Sequence, residues 1–190
     1  MLRFIQILPQ VSPKGDFLLK DLPGSGKRID ILCRDLAACF DWGPISWQKS
    51  HLELVVVIGN AKTLTFRNPQ TQQPSGEVGW ASVIRESLRG NLPGYVTLAY
   101  ETLEDVMEKL LQSNDSLVWV LDEEGVALSD IEFQPTTQNS FMLGDNRGFD
   151  SQSMSVISKH DIKRVSLGKK SYLSSHCLAA IISEFEGMIN

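Results

Sequence analysis

The segment Leu52–Ile58, LELVVVI, places the tightest limit on what this chain can become. It is strand-sized, far below the roughly 18 apolar residues that cross a bilayer. Its valine run is β-branched and favours extended backbone. Apolar residues follow one another without alternation, so both faces of the strand have to be covered. Gly59-Asn60 ends the run. Covering two faces takes helices, and the chain has segments of the right period. Arg28–Phe40 repeats Ile29, Leu32, Cys33, Leu36, Ala37 and Phe40 at helical spacing. Leu103–Leu111 does so with Leu103, Val106, Met107, Leu110 and Leu111. Trp80–Leu88 and Tyr172–Gly187 share the period, the last with Leu178, Ile181, Ile182 and Phe185 on one face. Between them lie shorter strand-like runs: Leu2–Leu8, Leu64–Phe66, Tyr95–Ala99, Leu117–Leu121, Ser140–Leu143 and Arg164–Leu167. Strands alternating with helices predict an α/β fold with a mostly parallel sheet covered by helices.

The connections fit that frame. Pro9–Gly26 is a long Pro- and Gly-rich link with Phe17 to Leu19 as an anchor, and Asp41-Trp42-Gly43-Pro44 stops the first helix. Asn68–Gly79 reads as an exposed loop and Asp122-Glu123-Glu124-Gly125 as an acidic turn, while Lys159–Arg164 leads into the last strand. A length of 190 residues suits a single domain, residues 1–190, with a core large enough to need no staples. Three cysteines without CxxC spacing suggest neither a disulfide framework nor a zinc knuckle, and three histidines make a dedicated metal site an unsuitable expectation. The start, MLRFIQILPQ, lacks signal-peptide anatomy, so the expectation is a cytoplasmic protein with no membrane segment. A net charge of -5 argues against a general nucleic-acid coat. It leaves room for a local basic face if Lys20, Lys27, Arg28 and Arg34 meet Lys163, Arg164, Lys169 and Lys170.

In parallel sheets, ligands sit beyond the carboxyl ends of the strands. Three such ends stand out, at Leu121-Asp122, Leu143-Gly144-Asp145 and Leu167-Gly168. The middle one opens GDNRG, where Gly144 and Gly148 allow close approach of a ligand to backbone. Asp145 there is either a base or a turn former, and Arg147 either a phosphate ligand or a solvated charge. DLPGSGKRID (Asp21–Asp30) imitates a phosphate loop but lacks its first glycine, where Asp21 stands, and its hydroxyl after Lys27, where Arg28 stands. It keeps the physics of an anion site, a glycine-rich turn entering a helix with Arg28 and Arg34 nearby, and equally fits a helix start capped by Ser25 or Asp30. His176 and Cys177 are adjacent, about 100° apart around a helix, and make a poor nucleophile–base pair.

DLPGS-GKR-DILCR, WVLDEEG, FMLGDNRGF and RVSLGKKSYLSSHC occur in this order and at matching spacing, over nearly the whole chain. Together they resemble the archaeal tRNA pseudouridine N1-methyltransferase family of the SPOUT superfamily. The middle, Asn68–Gly94, departs from the archaeal pattern and points to a bacterial branch. The resemblance implies a trefoil-knotted fold, with the knot and cofactor pocket in about residues 117–190, a homodimer, S-adenosylmethionine as methyl donor, and an RNA substrate, tRNA first. It places the cofactor at Leu121, Gly144, Val165, Leu167, Ser171 and Cys177, RNA phosphates at Lys27, Arg28 and Arg34, and no metal. The base that helps remove the N1 proton is then Asp30, with Asp145 second. The competing expectations are a methyltransferase acting on a non-RNA substrate and a non-catalytic dimer that binds S-adenosylmethionine.

Overall fold

A computed structural model of the chain describes residues 1–42, 48–113, 115–132 and 137–189. In chain order its elements are β1 (Leu2–Leu8), α1 (Ile29–Phe40), β2 (Leu52–Ile58), β3 (Lys62–Phe66), α2 (Gly76–Leu88), β4 (Val96–Ala99), α3 (Leu103–Leu111), β5 (Ser116–Ala127), β6 (Gln138–Leu143), α4 (Ser151–Lys159), β7 (Lys163–Ser166) and α5 (Ser174–Ile189). The strands form one sheet in the order β4-β3-β2-β1-β6-β5-β7. Pairing is parallel from β2 through β1, β6 and β5 to β7, and antiparallel from β2 to β3 and from β3 to β4. The α/β expectation with a mostly parallel sheet therefore holds.

The alternation of side chains along β1 and β2 divides the core in two. Phe4, Leu54 and Phe141 face a layer of α1, α2 and α5, where Leu32, Phe40, Trp80, Ile181 and Phe185 bury their side chains. Ile5, Val55, Val57 and Met142 face α3 and α4, against Val106, Met107 and Ile157. Trp80 sits edge-on to Phe66, 6.4 Å between ring centroids, and donates its indole N–H to Asp41 at 3.1 Å. That bond removes the cost of burying the ring's one polar atom. α3 matches its expected bounds, and Thr102 with Asp105 forms a reciprocal capping box at its start.

Several boundaries differ from the sequence reading. α2 begins at Gly76, inside the stretch read as loop. α4 has no counterpart in the sequence reading; its nine residues hold four serines and a β-branched Val-Ile pair, which are weak helix formers, and Asp150 caps it by accepting from the Ser153 N–H at 2.8 Å. β5 is longer than Leu117–Leu121 and only partly buried. Leu121 and Val126 both pair with Val165, so the acidic stretch bulges out of a continuing strand instead of turning the chain. Neither Ser25 nor Asp30 caps α1. Arg28 occupies the cap with left-handed φ of 71° and no side-chain cap bond, while the Ser25 hydroxyl donates to the Asp21 carbonyl at 2.5 Å. α1 ends at Phe40, where the expected stop Asp41-Trp42-Gly43-Pro44 begins; Gly43 and Pro44 lie outside the described residues.

Candidate functional site

The three strand ends singled out in the sequence open onto one cleft of about 650 Å³. Leu121, Leu143, Val165 and Leu167 give it an apolar floor, and Gly144 to Phe149 form one wall. α1 supplies Arg28, Ile31 and Arg34 opposite, and the segment from Lys170 into α5 closes the cleft with Ser171, Tyr172, Ser174 and Cys177. The chain reaches this position because β7 lies at the sheet edge beyond β5, whereas α5 lies against α1 and β1. Residues 167–173 therefore return across the ends of β5 and β6.

The GDNRG loop is built tightly. Asp145 and Gly148 exchange backbone hydrogen bonds of 3.1 and 3.0 Å, and Asp145 Oδ1 accepts from the Arg147 N–H at 2.7 Å. Gly148 takes φ of 83°, and a Cβ on Gly144 would collide with the Gly148 carbonyl. Gly144 is thus required by close backbone approach and Gly148 by its left-handed φ. Gln6, buried in the middle of β1, donates to the Gly144 carbonyl at 2.7 Å and anchors the loop to the sheet. On the far side, Arg164 pairs with Asp122 at 2.6 Å and fixes the β5 bulge that carries Asp122 and Glu123 to the rim.

The basic wall is organised by Asp30. Arg28 reaches both of its oxygens, at 3.0 and 3.1 Å, and Arg34 adds a bond to Oδ2 at 2.7 Å. Asp30 is buried behind the two guanidiniums and does not itself line the cleft, whereas Asp145 does. Lys27 is exposed just outside it, also with left-handed φ, while Arg147 and Lys170 bring two further cations to the lining. The early and late basic clusters do meet here, through Arg28, Arg34 and Lys170. His176 is exposed, and Cys177 is half-buried on the cleft wall with its thiol pushed up to about 11 by burial. Among the described residues, no three His, Cys, Asp or Glu side chains converge as a metal site would require. Among the described residues, no helix is long and apolar enough to cross a membrane.

Two residues beside the cleft escaped the sequence reading. Gln6 lies within the strand-like run Leu2–Leu8, and nothing in its spacing singles it out. Asp35 is fully buried between α1 and α5, where its Oδ1 accepts from the Ser174 hydroxyl at 2.7 Å. Burial pushes its carboxyl up to about 7, against the pull of the Ser174 bond and Arg34. The available signal was a single carboxylate in the Leu-, Ala- and Cys-rich second half of α1.

Residues 1–188 match the model of a family described as "Putative SAM-dependent RNA methyltransferase", SAM being S-adenosylmethionine. The chain is 31% identical over 185 residues to the tRNA (pseudouridine(54)-N(1))-methyltransferase of Pyrococcus abyssi, covering 87% of this chain and 88% of that one. It is 30% identical over 189 residues to the enzyme of the same name from Thermococcus kodakarensis, covering 91% and 92%. In fold it is similar to the crystal structure of Archaeoglobus fulgidus Nep1 bound to S-adenosylhomocysteine, with a TM-score of 0.66, 16% identity and 97% of each chain covered.

Proposed function

Because this chain belongs to the S-adenosylmethionine-dependent RNA methyltransferase family, we propose that it transfers a methyl group to N1 of a pseudouridine in tRNA. The observation that carries the reading is one cleft with an apolar strand-end floor and a guanidinium wall. The first suits an adenosine-sized ligand approached closely by backbone, and the second suits a polyanion.

The residues present fit the methyl donor. Leu121, Val165 and Leu167 offer apolar contact for its adenine, and Gly144 and Ser171 offer backbone groups without a bulky side chain in the way. Cys177, largely a thiol at neutral pH, completes the wall as a small apolar group. When bound, the donor supplies a methyl made electrophilic by a sulfonium charge. Lys27, Arg28 and Arg34 hold RNA phosphates at the mouth. Asp30 keeps Arg28 and Arg34 aimed at the cleft; with both oxygens engaged, it acts by placing them. Asp145, on the cleft wall, accepts the proton that pseudouridine N1 loses as it is methylated. A pseudouridine inside folded tRNA has to be unstacked to enter.

The same reading takes the working unit to be a homodimer in the cytoplasm. Leu18, Tyr172 and Leu173 are large apolar side chains more than half exposed, the latter two on the cleft rim, where a second copy would cover them. It also takes the return of residues 167–173 across β5 and β6 to be the crossing of a trefoil knot.

The test is incubation with methyl-labelled S-adenosylmethionine and total tRNA, followed by fractionation. Label in RNA, falling steeply as salt rises, is the expected result. Label in protein or small molecules would support the non-RNA alternative, and binding without transfer would support a non-catalytic role.

A further inference from the structure

Asp35 is a fully buried carboxylate beside the cleft, and the function proposed above makes no use of it. Its Oδ1 is 2.7 Å from the hydroxyl of Ser174, which lines the cleft, and its Oδ2 is buried without a hydrogen-bond partner. An ionised carboxylate so placed is poorly solvated. It gains most from a positive charge brought into the cleft next to it. The hydroxyl between them spends its single proton on Asp35, so towards the cleft it presents only lone pairs. The pair therefore shows the bound molecule a fixed negative end of a dipole with a buried charge behind it. Arg34 answers that charge only in part and from a distance, because its guanidinium bonds Asp30.

Resting on the reading of the cleft as the methyl-donor site, we propose that Asp35, acting through Ser174, is a positioning residue that makes the cleft prefer the charged methyl donor over its demethylated product. Donor and product share the adenosine, the amino group and the carboxylate. They differ in the methyl and in the positive charge on sulfur, and the second difference is the one a buried carboxylate can read. Charge and proton balance follow. Before transfer the sulfonium stabilises Asp35 as carboxylate. After transfer the methyl is bonded to N1, its former bonding electrons remain on a neutral sulfur, and the N1 proton has left by way of Asp145. Asp35 then takes up one proton from solvent and returns to the neutral acid. The cleft's hold on the spent product weakens accordingly.

Linkage gives the proposal a readout independent of turnover. If the carboxylate favours the sulfonium, then the sulfonium favours the carboxylate, and donor binding near neutral pH has to release protons. Asp35 starts from about 7, so that release is measurable. The groups facing Asp35 are Ser174 and Cys177 from α5, and Asp30, Cys33, Arg34 and Cys39 along α1; from α2, Glu77 acts on Cys33. Cys33, Cys39 and Cys177 all have thiols pushed up by burial and stay protonated across neutral pH.

The experiment is calorimetric titration of the full chain with S-adenosylmethionine and, separately, S-adenosylhomocysteine, from about pH 5.5 to about pH 6.8, where a free α-amino group stays largely protonated. Two buffers of different ionisation enthalpy report the protons released. The expected result is proton release and an affinity that rises about tenfold with pH for the methionine form, with little of either for the homocysteine form. Asp35→Asn should abolish the difference while both ligands still bind. Ser174→Ala, which leaves the buried charge in place, should shrink it, and it carries the test if the Asn variant does not fold. The same pH response for both ligands, or a response that survives Asp35→Asn, overturns the proposal. Failure of both ligands to bind overturns the methyl-donor reading beneath it.

Discussion

Arg28 shows how a single residue is kept where its backbone resists. Its φ of 71° lies in the left-handed region, which costs a non-glycine residue roughly 1–2 kcal/mol. Lys27 before it is also left-handed. Asp21 helps hold this turn through its side-chain bonds to the N–H groups of Gly24 and Ser25, and the guanidinium of Arg28 closes onto Asp30. Arg28→Gly should therefore leave the thermal midpoint nearly unchanged, because relief of backbone strain offsets the lost ion pair. It should still weaken RNA binding and lower the salt slope by about one counterion, as read by filter binding over a salt series. Gly144→Ala acts in the opposite way. The added methyl meets the Gly148 backbone, which Asp145 holds in place, while Gln6 fixes the Gly144 carbonyl. Affinity for S-adenosylmethionine should fall at least about tenfold, together with a stability loss of about 1–3 kcal/mol from overpacking. Unchanged affinity would detach the GDNRG loop from the cofactor. The importance of Gly144 was legible in sequence because glycine at a strand end has few other uses. The roles of Gln6 and Asp30 were not, because each depends on partners that only the fold supplies.

At the scale of elements, sequence and structure agree where period and propensity point the same way. Leu52–Ile58 and Leu103–Leu111 are recovered to the residue, the first by its β-branched run and the second by its apolar face and capping box. They part where tertiary contacts override local preference. α4 is rich in serine, and it stands because Ile157 is buried in the second core, Met154 lies against it and Asp150 caps it. Asp150→Ala should lower stability by about 1 kcal/mol, and hydrogen exchange should show α4 opening before α3. Equal protection of both helices in the variant would mean that packing alone holds α4. The β5 bulge is the other case. An acidic run ending in glycine looks like a turn, and only pairing with β7 on both sides of it reveals a strand that resumes. Gly125 lies so close to the Val165 backbone that a side chain there would force the two apart.

For the whole molecule, the alternation of covered strands and amphipathic helices predicted the α/β class, but periodicity says nothing about which strands adjoin. The order β6-β5-β7 and the return of the chain towards α1 are long-range facts, and they bring the early and late basic clusters together. The same juxtaposition buries Asp35, with a consequence for stability. Burial pushes its carboxyl up to about 7 in the folded chain, against about 3.9 for an aspartate in an unfolded chain. Between those values the native state binds more protons than the unfolded one. Its contribution is complete below about pH 4 and is lost as pH rises towards 7. Asp35→Asn should remove that decline, so denaturant melts of the two proteins should diverge by a few kcal/mol from acid to neutral pH. Parallel curves would mean that Asp35 is solvated or ionised throughout.

The most direct measurement is nucleoside analysis by mass spectrometry after reaction with paired tRNA transcripts that carry pseudouridine or uridine at the same position. The account predicts N1-methylpseudouridine in the first transcript, no product in the second, and loss of product with Asp145→Asn. A methyl on another atom, or equal product from the uridine transcript, would contradict the assignment of this cleft to pseudouridine N1.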